Sequence, residues 1–336
     1  MTTLLPTRAL GTSGMDITTV GFGAWATGGG AYEFGWGPQD DAESIAAIQA
    51  AVSGGVNWID TAAVYGLGHS EEVVGRAVRS LPAGERPYVF TKCGMLWASR
   101  NEVPHREANP ASIRRELDAS LRRLGVERID LYQVHWPPED DTPIEAYWQT
   151  MLDLKAEGKI RAAGLSNHSA AELGTAERLG HVDSLQPPFS AIRRDTAAEE
   201  LPWCARHDTG AIVYSPMQSG LLTGTFSAAR VAALPEDDWR SRSPLFHGDS
   251  LRRSTSLANA LAPIAERLGV SQGAVAIAWT LAWPGVTGAI VGARTATQVE
   301  GWLLAASLTL DPADLDAIAS AIADTEAGSG PARPPR

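Results

Sequence analysis

Short apolar runs alternate with helix-patterned segments along almost the whole chain, and that alternation limits the fold more than any other feature. After a run ending at Gly23, the strand candidates are Trp58–Asp60, Tyr88–Lys92, Ile129–His135, Ile160–Leu165, Ser184–Gln186, Gly210–Tyr214 and Gly288–Val291. Helix patterns fill the gaps. Asp40–Ser53 opens with Asp40 and Glu43 at capping-box spacing and stops at Gly54-Gly55. A helix begins near Ser70, and another has Asn109 as cap, Pro110 at its first position and Ile113, Leu117, Leu121 and Leu124 on one face. Further helices are expected at Ile144–Glu157, Ala170–Leu179, near Glu199–His207, at Leu257–Leu268, Gln272–Ala282 and Thr297–Ala306, with a last one near Pro312–Ala323 capped by Asp311.

Strand–helix alternation implies a parallel sheet. Eight such units in about 290 residues suit an α/β (β/α)8 TIM barrel better than an open doubly wound sheet, although alternation by itself does not show closure. Ahead of the barrel, Arg8–Leu10 and Met15–Val20 flank a turn at Gly11–Gly14 and predict an N-terminal β-hairpin. The lack of a linker predicts a single domain over 1–336, with a short disordered tail from about 327 to 336. The Ser-, Arg- and Pro-containing stretch Trp239–Leu251 reads as a mobile excursion within it.

Composition excludes several functions. A net charge of −11 argues against a nucleic-acid partner. The N-terminus shows no signal peptide, and the longest apolar stretch, Ala274–Trp283, is broken by Pro284-Gly285 before it could span a membrane. Two cysteines, Cys93 and Cys204, form no metal pattern and suit a reducing, cytoplasmic setting. Cys93 reads as a small core residue despite its place beside Lys92. No His/Asp cluster at the strand ends supports a metal-dependent hydrolase, so no metal is expected. The oligomeric state is not legible.

The strand ends carry the chemistry. Asp60 follows the second strand, Lys92 ends the third and His135 the fourth; Ser166-Asn167, Gln186 and Tyr214-Ser215 follow at the fifth, sixth and seventh. In a parallel barrel these ends meet on one rim. Tyr65 joins them from the loop after Asp60. Singly, each has an ordinary reading as a cap, a strand-end lysine or a core histidine; together they do not.

The motifs Ile59-Asp60-Thr61-Ala62-x-x-Tyr65-Gly66-x-Gly68-x-Ser70-Glu71, Thr91-Lys92, Asp130-Leu131-Tyr132-Gln133-Val134-His135-Trp136-Pro137 and Gly158-Lys159-Ile160-Arg161-x-x-Gly164-Leu165-Ser166-Asn167 resemble those of the aldo-keto reductases. The likeness runs from about Gly11 to Ala306. It implies a barrel that binds NADPH, or less often NADH, without a Rossmann domain, and the first strand is indeed not followed by G-x-G-x-x-G. It also implies a catalytic tetrad of Asp60, Tyr65, Lys92 and His135. Hydride addition to a carbonyl builds charge on oxygen that needs a proton. Tyr65 would supply it, Lys92 would lower the phenol pKa, Asp60 would hold Lys92, and His135 would add a second donor.

By the same resemblance Ser166, Asn167 and Gln186 would hold the nicotinamide carboxamide, and Tyr214 would stack on its ring. Ser215, Pro216, Met217, Ser219, Gly220 and Leu221 would wrap the pyrophosphate, and Gly23, Ala24 and Trp25 would border cofactor and substrate. Gly292, Ala293, Arg294 and Gln298 match the segment at the adenosine 2′-phosphate, with Arg294 as its partner. Where many relatives carry Glu-Asn at the adenine, this chain has Gly301-Trp302. Trp25, Trp97, Trp136 and Phe34 are candidate walls of an apolar substrate pocket. The expected activity is NADPH-dependent reduction of aldehydes and ketones. Its rivals are an NAD(P)-dependent aldose dehydrogenase, with a sugar as substrate, and a slow nucleotide-sensing regulatory subunit. Substrate choice would lie in the loops around Ala26–Gly37, Met95–Ala108 and Ser219–Leu251.

Overall fold

A computed structural model describes residues 5–30, 32–99 and 102–335. Ala31, Arg100 and Asn101, in two of the substrate loops, and Arg336, at the end of the tail, therefore lie outside the described residues. The N-terminal hairpin pairs β1 (Thr7–Ala9) with β2 (Asp16–Thr18). The barrel strands are β3 (Val20–Gly23), β4 (Trp58–Asp60), β5 (Tyr88–Cys93), β8 (Ile129–Val134), β9 (Ile160–Ser166), β10 (Ser184–Gln186), β11 (Gly210–Tyr214) and β12 (Val286–Gly292). They close in that order, parallel throughout, so the barrel and not the open sheet is correct. A second hairpin, β6 (Met95–Leu96) with β7 (His105–Arg106), stands on the rim after β5 and was not foreseen.

Helices α1 (Asp41–Ser53), α2 (His69–Ser80), α3 (Pro110–Leu124), α4 (Ile144–Ala156), α5 (Ala170–Glu177) and α6 (Glu200–Arg206) cover the first six barrel strands. After β11 come a 3-10 segment Gln218–Thr223, α7 (Ala228–Ala232), α8 (Gly248–Ala260), α9 (Ala262–Leu268) and α10 (Gln272–Leu281). The chain closes with α11 (Ala296–Leu303) and α12 (Pro312–Thr325). The caps follow the sequence: Asn109 accepts from Ser112 N at the start of α3, and Asp311 makes a full capping box with Asp314 on α12. The expected helix Leu257–Leu268 is two helices that meet at Leu261, because Pro263 in the first turn of α9 cannot continue the hydrogen-bond ladder of α8.

The hairpin seals the N-terminal end of the barrel. Leu10, Met15 and Ile17 pack onto Trp58, Phe90, Leu131, Ala162, Ile212 and Ile290 inside it. Trp58 is the largest of these side chains, and its indole N–H is satisfied by Thr18 O at 2.8 Å. Gly21 makes room for that ring: a Cβ there would lie 2.1 Å from Trp58 Cε2. With one end filled by apolar side chains, the polar strand ends are left at the other.

Two expected loose segments are held in place. Trp239 stacks on Trp25 with ring centroids 5.5 Å apart, Trp239 N donates to Gly35 O, and buried Asp238 pairs with Arg240 at 2.6 Å. The stretch Trp239–Leu251 is thus built from short 3-10 turns and the first turn of α8. The start of the tail, expected to be disordered from about 327, is placed against the barrel by hydrogen bonds over 327–330. The buried Arg194 guanidinium donates to Ala327 O and Gly330 O, and Ser329 Oγ to Asp195.

Candidate active site

Strand β4 ends on Asp60 and β5 delivers Lys92 beside it; both side chains are almost fully buried, with Nζ 2.6 Å from Asp60 Oδ2. The ammonium also donates to Thr61 O at 2.8 Å and to the Tyr65 hydroxyl at 3.4 Å, so its three protons are committed. Tyr65 arrives from the turn after β4, and His135 from the end of β8. Their rings meet edge to face with centroids 5.7 Å apart. The structure thus brings together the four groups expected to form the tetrad.

The expected lowering of the Tyr65 pKa is not found. Burial raises it well above the usual phenol value, and the Asp60 charge adds to that effect. The physical reason is the tight pair: with Asp60 at 2.6 Å, the Lys92 charge is largely cancelled where the phenol would feel it. Burial likewise lowers Lys92, with Asp60 opposing. His135 is pushed well below its ordinary value by burial, then by Lys92 and Arg106. At neutral pH the pair facing a substrate is therefore a protonated phenol and a neutral imidazole. Two donors to one oxygen are available, with no competing negative charge on either.

Next to this cluster lies a set of amides and hydroxyls. Ser166 Oγ donates to Gln186 O at 2.8 Å; Asn167 Nδ2 donates to His135 O at 2.9 Å, and Asn167 Oδ1 accepts from Tyr214 OH at 2.8 Å. Asn167 adopts a φ of 62°, a left-handed conformation that a non-glycine residue rarely takes without a local reason. Gln186 is placed here but turned inward: its Nε2 donates to Asp60 Oδ1 at 2.8 Å and to Gln133 Oε1 at 3.3 Å. Gln133 Nε2 is buried with no partner among the described residues. An amide-bearing ligand suits such a donor and acceptor set.

After β11 the backbone turns through left-handed conformations at Ser215, Gln218, Ser219 and Gly220. Within this loop Gln218 N donates to Ser215 O and Gly220 N to Met217 O, which fixes its shape where the pyrophosphate segment was expected. Pro216 and Leu221 are buried and anchor the loop, while Met217 packs on α10 near Gly273. Gly23 and Ala24 are buried at the end of β3. Gly292 is exposed at the end of β12 and Ala293 is buried behind it. Gln298 Oε1 accepts from Arg294 N at 2.7 Å, shaping the loop into α11. The Arg294 guanidinium donates to Gln39 Oε1 at 2.6 Å and to the Trp36 and Pro38 carbonyls. These partners are all neutral, and the carboxylates of Asp238, Glu43 and Asp237 act on it only through space. The residues present therefore fit a nicotinamide dinucleotide: amide-compatible groups with a Gln133 Nε2 unpartnered among the described residues at one end, a left-handed backbone loop in the middle and a cation at the other end.

Of the expected pocket walls, Trp97 and Trp136 pack with Tyr65 and Leu67 on Ala62, Val64 and Met95. Trp25 lies over Tyr65 with centroids 6.1 Å apart. Phe34 is on the surface. Trp302 is buried in the core, so it forms no exposed face at the adenine end. A cavity of about 450 Å³ opens against Gly28–Gly30, Tyr32, Gln39, Gly66, Leu67 and Asp237. It lies behind the Tyr65 turn and takes in none of the four clustered groups, so the chemistry is placed by those groups and not by the cavity.

Tyr32, Trp36, Trp239 and Arg240 also pack around Trp25 at the site, and none was among the expected site residues. Trp25 Nε1 donates to Tyr32 OH, Trp36 and Trp239 box in Trp25, and Arg240 lies over the Trp36 ring at 4.5 Å. The eleven tryptophans of the chain were the one visible signal, and only for Trp36 and Trp239.

The sequence model of the aldo/keto reductase family matches residues 19–323. An aldo-keto reductase of Bacillus subtilis (strain 168) is 35% identical over 299 residues, covering 87% of this chain and 88% of that protein. An NADH-specific methylglyoxal reductase of Escherichia coli (strain K12) is 34% identical over 316 residues, covering 91% and 94%. Among solved structures, a glycerol dehydrogenase from Gluconobacter oxydans superposes with a TM-score of 0.86 at 35% identity, covering 96% of this chain and 97% of that one.

Proposed function

The chain belongs to the aldo-keto reductase family of NAD(P)H-dependent oxidoreductases, and from that premise we propose that it reduces aldehydes and ketones with NADPH, Tyr65 giving the proton. The observation that carries the reading is the buried cluster in which Lys92 contacts both Asp60 and the Tyr65 hydroxyl while His135 faces the same phenol.

Ser166 and Asn167 would hold the carboxamide, Gln186 would meet it only through its Oε1 because its amide protons go to Asp60 and Gln133, Tyr214 would hold the nicotinamide ring, and Ser215 to Leu221 the pyrophosphate. When bound, the dinucleotide supplies the hydride. Tyr65 and His135 then grip the carbonyl oxygen, and its growing charge is met by two preorganised donors. Lys92 donates to the phenol oxygen, which leaves the Tyr65 proton directed at the substrate and steadies the phenolate once the proton has left. Asp60 and Thr61 O keep Lys92 in place. Trp25, Trp97 and Trp136 give the substrate an apolar wall and limit water at the reacting carbon.

Preference for NADPH is supported by Arg294, whose neutral partners leave a cation for the 2′-phosphate, with Gln298 setting its loop. A relative named for NADH specificity and another named as a glycerol dehydrogenase make cofactor and direction the first things to measure. The same donors serve the reverse reaction, in which a Tyr65 phenolate would take the alcohol proton. A cytoplasmic setting belongs to the same proposal and rests on two buried free thiols; no described helix is long and apolar enough to cross a membrane. The test is a panel of aldehydes, ketones and sugars followed by nicotinamide absorbance with both cofactors. Carbonyl reduction that is faster with NADPH supports the reading. Sugar oxidation alone, or binding without turnover, overturns it.

A further inference from the structure

One peptide group links a buried carboxylate to the backbone of His135. The peptide between Cys93 and Gly94 lies one residue past Lys92. Its N–H donates to Glu116 Oε2 at 2.9 Å, and its carbonyl accepts from His135 N at 2.9 Å. Glu116 lies on α3, outside the reaction centre, and is nine-tenths or more buried. Its other oxygen accepts from Ser112 Oγ at 3.0 Å. Gly94 has a φ of 84°, so a glycine is needed where the strand turns to present this peptide. An acceptor on the N–H polarises the peptide and strengthens the bond its carbonyl accepts; a charged acceptor does so more than a neutral one.

We propose that Glu116 is a positioning residue whose charge state sets how firmly the Cys93–Gly94 peptide holds the His135 end of β8, and that it thereby makes the rate of carbonyl reduction depend on pH. The inference rests on the reading in which His135 donates to the carbonyl oxygen.

The surroundings favour titration in a useful range. Burial raises the Glu116 carboxyl to about 7, with the Gly94 and Ser112 hydrogen bonds opposing. On its own helix it faces Ser112 and Arg123. Glu107, from the exit of the second hairpin, disfavours its charge and Arg123 favours it. From the barrel it faces the Cys93 thiol and the Tyr132 phenol, both raised well above their ordinary values by burial. Glu71 of α2 acts on the same phenol. His135 itself is pushed well below 6.5, so it does not supply an ionisation in this window. Above its pKa, Glu116 is a carboxylate that holds the peptide tightly; below it, the neutral acid holds it less well, and the rate falls as pH falls.

The sequence offers a direct probe. Cys93–Gly94 is the one Cys-Gly pair in the chain, so protein labelled with 13C-carbonyl cysteine and 15N-glycine gives a single linked amide signal. We expect that amide to shift with pH with a midpoint near that of Glu116 in the parent, and to stay unmoved in Glu116→Gln. Single-turnover oxidation of bound NADPH by a saturating aldehyde, across pH 5–9, should show a limb with the same midpoint and an amplitude of about threefold or more, in line with a charged hydrogen bond being roughly twice as strong as a neutral one. Glu116→Gln, which keeps an acceptor without titrating, should abolish the limb and run between the parent's plateaus. Glu116→Leu should be flat and slower than either. A Gly94 amide indifferent to pH in the parent, or a limb that survives unchanged in Glu116→Gln, overturns the proposal. A parent that reduces no carbonyl overturns the functional reading and the rate arm with it, while the amide titration still decides whether the hydrogen bond senses charge.

Discussion

Strand β4 holds Trp58 and Asp60, and the barrel treats its two ends in opposite ways. At the N-terminal end, Trp58 is surrounded by apolar side chains from six other segments and its single polar atom is satisfied. At the C-terminal end, Asp60 is as deeply buried but sits against an ammonium and an amide. Filling the first end with carbon is stabilising at every contact. Burying an ion pair at the second gains little or nothing for the fold, because desolvation offsets attraction. The charges at that end are better accounted for by what they do to Tyr65 and His135 than by stability.

That contrast can be broken from either side. Trp58→Ala should cost about 3–5 kcal/mol of unfolding free energy. The folded fraction should keep its cofactor affinity, since Trp58 points away from the rim. Chemical denaturation with a parallel cofactor titration checks this, and a large loss of affinity at unchanged stability would erase the distinction between the two ends.

Glu116 sharpens the contrast through pH. Its folded pKa, about 7, lies above its ordinary value of 4.5, so the folded state binds the extra proton. Stability from this group is therefore fully present below 4.5 and is lost as pH rises toward 7, by about 3 kcal/mol in all. Glu116→Gln should remove that slope. Denaturation of parent and variant at pH 5 and pH 8 measures it; equal slopes would contradict the assigned ionisation.

A smaller effect is expected at Arg294. A charged hydrogen bond to phosphate is worth about 1.5–3 kcal/mol, so Arg294→Ala should reduce the preference for NADPH over NADH roughly ten- to a hundred-fold. Tryptophan fluorescence titration with both cofactors reports it, and an unchanged preference would remove Arg294 from the 2′-phosphate. The variant also loses its bonds to Trp36, Pro38 and Gln39, so some loss of affinity for both cofactors is expected.

How much of this could be read in advance follows the same division. Strands, caps and the rim position of Asp60, Lys92, His135 and Ser166 are local: each depends on a run of apolar residues and the polar residue that ends it. Convergence on one rim then follows from parallel closure. What could not be read depends on partners far away in the chain. Trp239 packs on Trp25 and Gly35, Arg194 is capped by carbonyls of the tail, and Gln186 spends its amide protons on Asp60 and Gln133. The direction of the Tyr65 shift was misread for a related reason. Burial and the closeness of Asp60 to Lys92 decide it, and neither is visible in a motif.

Tyr65 is where the account is most exposed. Tyr65→Phe keeps the ring packed under Trp25 and removes the hydroxyl alone. Loss of a general acid typically costs 10²–10⁴-fold, and the lost oxyanion donor overlaps with that effect. In single-turnover oxidation of bound NADPH by a saturating aldehyde, the account predicts a fall of about 10²-fold or more, with NADPH affinity within a few-fold of the parent. A Tyr65→Phe rate close to the parent's would contradict it and would move the proton donor to another group, with His135 the first to examine.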